Sequence, residues 1–302
     1  MNKSQKHLKG LSYAKYGYMF AIPFIVVFLI FQLYPTLYTA FIGFTDLKGV
    51  QPAKILDQPF KNFQDIVHNK TFINSLRNTV VIWIMNFIPQ ITLALILTAW
   101  FTSRTSKLKG QGFFKVVFYM PNIITAASVA VLFNALFGYP KGPVNDLLIS
   151  MGIRDSSYYF MNFATPTRWI VAFIQFWMWY GYTMIILVSG VLGINPEIYE
   201  AAEIDGANDR QIFFRITIPN LRTILTYTLV TSLIGGLSMY DIPKMLNNGN
   251  PNNSTLTATM FIYNQSFQNS YMYARGAAAS MILFLIIAAL SAVIFFLMRD
   301  RK

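Results

Sequence analysis

The 302-residue chain has no cysteine, two histidines and three glutamates, and charged residues make up only 12% of it. The missing cysteine excludes a disulfide framework, thiol chemistry and cysteine-ligated metal. His7 and His68 are too far apart to form a zinc pair on one helix. No glycine-rich phosphate loop of the form GxxxxGK followed by Ser or Thr is present, so the chain is not its own ATPase in the usual way. The charged fraction is about half that of an ordinary soluble domain, and that shortage points to a membrane.

What is abundant agrees with this. Hydrophobic residues reach 55% and aromatic residues 16%. The windows 17–39, 78–101, 116–137, 169–193, 223–240 and 276–298 contain no Lys, Arg, Asp or Glu. Each is close to the ~20 residues that cross a hydrocarbon core at ~1.5 Å per residue. Continuous apolar runs of this length are helices; a closed barrel needs ~10-residue alternating strands. The expectation is an all-α membrane protein with six transmembrane helices in a single domain over 1–302. The first window follows the basic residues Lys3, Lys6, Lys9 and Lys15. It is too long for a signal peptide and lacks a small-residue cleavage pattern, so it reads as a retained anchor.

Basic residues set the orientation. Segments 1–16, 102–115, 194–222 and 299–302 carry Lys and Arg at roughly twice the density of 40–77, 138–168 and 241–275. Both termini and the 194–222 loop are therefore expected in the cytoplasm. The formal net charge of +12 fits this topology and anionic headgroups better than nucleic acid, since no basic helix with interleaved aromatics stands out.

Within the outer segments, Phe63, Ile66, Val67 and Ile73 suggest a short amphipathic helix lying along the membrane surface before the second span. Residues 138–168 and 241–275 read as external loops, the second carrying the turn-rich "NNGNPNNST". The glycosylation-like patterns at Asn69, Asn252, Asn253 and Asn264 are too short to carry weight. Pro23, Pro35, Pro89 and Pro121 lie within spans and permit kinks.

All three glutamates, Glu197, Glu200 and Glu203, fall in the 194–222 loop. Asn195-Pro196-Glu197 is a helix start: a capping Asn, a Pro at the first position and an acid in the first turn. Gly206 suits the left-handed turn that ends such a helix, and Asn208-Asp209 begins another. Two short helices joined at a glycine are expected. Ile198, Ala201 and Ala202 share one arc of the first helix, with the glutamates on a separate arc. Paired alanines permit close approach, and the acids call for a basic partner. The alternative is a solvated loop whose acids aid solubility.

The spacing of Glu200-Ala201-Ala202, Gly206 and Ile216-Thr217-Ile218-Pro219 resembles the cytoplasmic signature of the membrane subunits of binding-protein-dependent ABC importers, with Ile218 where that family usually has Leu. "NFQDIVHNKTFINSLRNT" before the second span is similar to the carbohydrate-type permeases of maltose, glycerol-phosphate and multiple-sugar importers. Their external Gly-Pro turn resembles "NNGNPNNST", though Asn250 splits Gly249 from Pro251 here. The resemblance covers about 17–298. It implies an importer permease fold and a coupling helix, with Glu200, Ala201, Ala202, Asp205, Gly206, Ile216 and Pro219 engaging the ATPase. ATP and magnesium would be bound by that partner and not by this chain. The implied partners are a second permease subunit, two ATP-binding cassette subunits, an extracellular solute-binding protein and a carbohydrate.

For the substrate path, Gln175, Trp179 and Tyr182 form one stripe of the fourth span. Ser232, Gly235, Gly236, Met239 and Tyr240 lie near one face of a short, glycine-interrupted fifth. Aromatic faces with hydrogen-bonding edges suit sugar rings. Small residues also tighten helix packing, and aromatics also anchor at interfaces, so each position has a structural reading beside the functional one. Asp241, at the outer end of the fifth span, is a gate, a substrate contact or a solvated terminus. An intramembrane enzyme would need ionisable groups within the spans, which have no Lys, Arg, Asp, Glu or His. A structural or receptor-like protein would have no reason to carry the loop signature. Glycerol phosphate remains the rival substrate and a polyamine another, although a phosphate would call for arginine and a polyamine for carboxylates along the path.

Overall fold

The computed structural model describes residues 14–103, 109–268 and 271–299. Lys3, Lys6, His7 and Lys9 lie outside them. Among the described residues, five helices are long and apolar enough to cross a membrane, or six if one bent pair counts as a span. They are Tyr16–Ile42, Lys70–Thr102, the pair Gln111–Ile123 and Ala126–Leu136, Ala164–Leu192, Arg222–Asn247 and Tyr273–Met298.

The second and fourth spans form the centre, packed along their lengths. At one end Ile82, Val129, Ile170, Ile174, Met178, Met239 and Ile242 are buried together. At the other, Ala94, Leu97, Phe101, Met184, Leu187 and Val188 close the core. The two spans thus run parallel, and the fifth returns between their ends. Gly181 fixes one crossing: a Cβ there would lie 2.0 Å from the Phe118 carbonyl oxygen, so the third-span backbone sits directly on the fourth helix.

The third window departs from the expected single helix. It breaks after Ile123 and turns by 90°. Ile124 and Thr125 adopt extended backbone, and the Thr125 hydroxyl caps the next helix by accepting from the Ser128 amide at 3.3 Å. Pro121, the branched residues Ile123 and Ile124 and a capping Thr supply the break. The Asn122 amide holds the bend to the fourth span, donating to the Met178 carbonyl at 3.2 Å. The fifth span also stops early. Its helix ends at Leu237, and Asp241–Asn247 begins a second short helix.

The segments expected on the outer side are more structured than loops. Pro143–Ser150, Asp241–Asn247 and Ala258–Tyr263 are helical. The expected amphipathic helix is Lys61–Val67, with Ile66 buried beside Phe72, Phe261, Ala278 and Ala279. It therefore packs on the protein through Ile66, while Ile73 belongs to the second span and is exposed. Asn69 is that span's N-cap, accepting from the amides of Thr71 and Phe72. The turn 247–257 uses its asparagines for backbone shape: Asn248, Asn252 and Asn253 all have positive φ, which Asn tolerates.

The first span differs from the others in having no side chain buried within the chain. Its Tyr34–Ile42 half lies beside the last span, and most of its remaining surface is open to lipid or to another protein.

Candidate functional site

A cavity of about 420 Å³ lies between the second, fourth and fifth spans. Its walls include Gln175, Trp179, Tyr182, Ser232, Gly235, Gly236, Met239 and Tyr240, which brings together every residue that the sequence stripe and the glycine-broken span suggested. Trp179 and Tyr182 meet edge to face, with ring centroids 5.7 Å apart and planes at 90°. Trp179 is 44% exposed, so a large part of its indole stays open. Met239 is buried and forms part of the wall from beneath. The early end of the fifth helix creates this wall, because the non-helical Ser238–Tyr240 stretch turns the chain across the cavity.

Sequence reasoning missed the second span's share of the site. Trp83, Asn86 and Gln90 line the same cavity, together with Thr183, Thr228 and Thr231. The Gln90 amide donates to the Thr183 hydroxyl at 2.8 Å, Asn86 donates to the Ile82 carbonyl at 3.0 Å, and the Trp83 indole N–H donates to Ser232 at 3.3 Å. The signal was available: Trp83, Asn86 and Gln90 are spaced three and four apart, which places them on one helix face. Gly236 permits the contact with Trp83, since a Cβ there would lie 2.0 Å from the indole Cδ1. Asp241 is the one charged residue among those lining the cavity, and it is exposed.

The 194–222 loop has the expected two-helix form. Pro196–Ile204 follows Asn195, whose side chain accepts from the Glu197 amide at 3.1 Å. The helix is followed by Gly206 at φ +76°, the left-handed region glycine adopts without a Cβ penalty. Asn208 and Gln211 then form a reciprocal capping box. The following helix passes through a π turn at Phe213–Thr217 before Pro219.

The faces of the first short helix need one correction. Ala202 is buried in a cluster with Val191, Tyr199, Ile212 and Leu221, so it seats the helix on its own chain. Ala201 is exposed, as are Ile198, Glu200, Glu203, Ile204, Asp205 and Gly206. The outward surface is one alanine with an acidic and aliphatic surround. Ile204, 87% exposed at its tip, is the apolar position that the helical wheel had not singled out. Thr217 is buried and lies 3.3 Å from the Tyr199 hydroxyl, which ties the two helices together. Ile216 packs against this cluster from the second helix. A further cavity of about 620 Å³, lined by Trp100, Phe101, Tyr199, Phe213 and Phe214 among others, lies where the loop meets the ends of the second and fourth spans.

Comparison with known proteins places this architecture. The family model for the inner membrane component of binding-protein-dependent transport systems matches residues 66–302. The chain belongs to that family. It is 30% identical over 290 residues to the lactose transport system permease protein LacF of Rhizobium radiobacter, covering 95% of each chain. It is 28% identical to the arabinooligosaccharides transport system permease protein AraP of Bacillus subtilis, covering 95% of this chain and 90% of that protein. A chain from the crystal structure of a bacterial ABC transporter involved in the import of the acidic polysaccharide alginate superposes with a TM-score of 0.79. That match has 22% identity and covers 95% of this chain and 96% of the other. The fold is thus that of an ABC importer permease, and membership makes the chain an inner membrane component working with a binding protein.

Proposed function

We propose that this permease forms half of the translocation path of an ATP-driven carbohydrate importer, the 420 Å³ cavity being its part of the path. The carrying observation is the lining: a part-exposed Trp179 set at right angles to Tyr182, amides from Asn86, Gln90 and Gln175, and a row of hydroxyls, without lysine or arginine. Sugar rings present apolar faces and hydroxyl edges, which such a surface matches. Permease relatives named for lactose and arabinooligosaccharides support the same class. A glycerol phosphate substrate would meet no cationic side chain there.

The exposed patch of Glu200, Ala201, Asp205 and Gly206 seats in an ATP-binding subunit, while Ala202, Ile216 and Pro219 hold the patch to the spans. Two such subunits bind ATP and magnesium, and a solute-binding protein delivers the sugar from the opposite side. A second permease subunit completes the path and covers the first span, none of whose described side chains is buried within the chain. Chain 1–302 acts as one membrane domain with both termini cytoplasmic, the orientation favoured by its basic residues. Nucleotide closure then moves the short helices and tilts the spans by largely rigid-body motion.

Replacement of Glu200 by Lys and of Gly206 by Val tests the coupling. Uptake and substrate-stimulated ATP hydrolysis should fall together while the permease still inserts and assembles. Unchanged uptake in both variants would reject the loop as the coupling element. Trp179→Ala and Gln175→Ala test the path, through loss of uptake with the ATPase still assembled.

A further inference from the structure

The "NNGNPNNST" stretch has the composition of a slack turn, yet it is folded onto the ends of two spans. Arg168 stands at the start of the fourth span, one residue before its uncharged run. Its Nε donates to the Ser254 carbonyl at 2.9 Å, and its Nη2 donates to Asn78 Oδ1 at 3.0 Å. Asn78, on the second span, donates in turn to the carbonyls of Asn253 at 2.7 Å and Leu256 at 3.2 Å. One residue on, the Thr79 hydroxyl accepts from the Ala258 amide at 2.9 Å. From the other side, the Thr257 hydroxyl donates to the Met239 carbonyl at 2.7 Å, and Met239 lines the cavity.

These bonds form one connected series from the fourth span through the second to the cavity wall. Their surroundings are dry: Asn78, Thr79, Ser254, Thr255, Leu256, Thr257 and Ala258 are all at most 5% exposed. A segment that opens every cycle belongs to the low-stability end of a protein, with exposed backbone hydrogen bonds and few buried contacts. This segment has the reverse character, and its central donor is a guanidinium, whose charge-assisted bonds are stronger than neutral ones.

We propose that residues 239–258 are a cap fixed to the second and fourth spans, with Arg168 as its positioning residue. This wall of the cavity then travels with those spans through the transport cycle, and access changes elsewhere. Arg168 need not touch the sugar; it holds Met239 and Tyr240 where the sugar meets them. The inference rests on the reading of the cavity as the path.

Two measurements on the assembled transporter in lipid nanodiscs or proteoliposomes test it. The first uses the absence of native cysteine in this chain. Thr79→Cys with Ala258→Cys puts two thiols on the residues joined by the 2.9 Å bond from the Ala258 amide to the Thr79 hydroxyl, and a disulfide formed there on oxidation ties the cap to the second span. After oxidation, uptake should persist at about the level of the reduced protein, because a fixed cap loses nothing by being locked. Uptake that stops on oxidation and returns with reductant would show a lid and overturn the proposal.

The second compares Arg168→Gln with Arg168→Lys. If the cap holds its place only about a tenth of the time without the guanidinium, the half-saturating concentration of sugar-loaded binding protein rises about tenfold at a maximal rate within about twofold. Amide exchange at 253–257 should rise in parallel, and Lys should recover part of both. A fall in assembled transporter and maximal rate, with half-saturation and exchange unchanged, would reduce Arg168 to a folding residue. Should Arg168→Gln fail to assemble, the disulfide pair still decides. Should Trp179→Ala leave uptake untouched, the path reading fails, while the exchange result reports on the cap alone.

Discussion

Adjacent glycines in the fifth span give a controlled test of the cavity wall. A Cβ added at Gly235 meets nothing within 4 Å, whereas one at Gly236 falls 2.0, 2.7 and 2.8 Å from Trp83 Cδ1, Cγ and Nε1. Both Gly→Ala changes relieve the same helix penalty of about 1 kcal/mol, so that term cancels in the comparison. What remains at Gly236 is overpacking, at about 1–3 kcal/mol, and the displaced Trp83–Ser232 hydrogen bond, at about 0.5–1.5 kcal/mol. The expected gap between the variants is about 1.5–4.5 kcal/mol, enough to reduce the arrangement with the Trp83 indole in the wall by about tenfold or more.

Gly236→Ala should therefore unfold at a lower temperature than Gly235→Ala by fluorescence-monitored melting, and should import sugar more slowly in proteoliposomes. The collision is with one side chain, so Trp83→Leu in the Gly236→Ala background should recover stability in a non-additive cycle. Equal melting and equal uptake for the two alanine variants would refute the argument, since it would show that the indole moves aside at no cost and does not shape the path.

At Gly181 the obstruction is backbone: a Cβ would lie 2.0 Å from the Phe118 carbonyl oxygen, and no rotamer relieves it. Gly181→Ala should lower the amount of monodisperse protein recovered from membranes far more than Gly235→Ala, as read by fluorescence-detected gel filtration. At Gly206 there is open space but φ is +76°, so Gly206→Ala should cost about 1–2 kcal/mol of local strain and Gly206→Asn less, measured as proteolytic cleavage of the loop. The Arg275–Asp65 ion pair, at 3.1 Å, has side chains 43% and 39% exposed. Asp65→Asn should thus change stability by no more than about 1 kcal/mol, with the difference shrinking at high salt.

The spans were legible because each is a long run without charge, and a bilayer leaves few other solutions for such a run. Their directions were not. Hydropathy sums over Phe118 and Phe133 alike, but the 90° turn between them comes from two residues, Ile124 and Thr125, in extended backbone. The loop was legible in its caps and its glycine, because Asn195, Asn208 and Gly206 act on their immediate neighbours. Which side of its first helix faces outward was not, since a helical wheel relates Ala201 to Ala202 without saying where the rest of the protein lies. Tyr199, three residues before Ala202, was the clue: aromatic and small residues on one face commonly mark the buried side.

The cavity and its cap show the same boundary between local and distant information. Gln175, Trp179 and Tyr182 could be grouped because they share one helix, and Gly236 with Met239 because only three positions separate them in the sequence. Trp83 could not be joined to Gly236 without knowing that the second and fifth spans touch. Likewise "NNGNPNNST" reads as loose when its neighbours are all that is considered, but its order comes from Arg168, 86 residues before Ser254, and from Asn78, 175 before Asn253. An arginine at the edge of a membrane span is ordinarily assigned to the headgroup region. Here its guanidinium is turned into the protein, where two acceptors on different segments give it a structural task that no pattern of neighbouring residues could have specified.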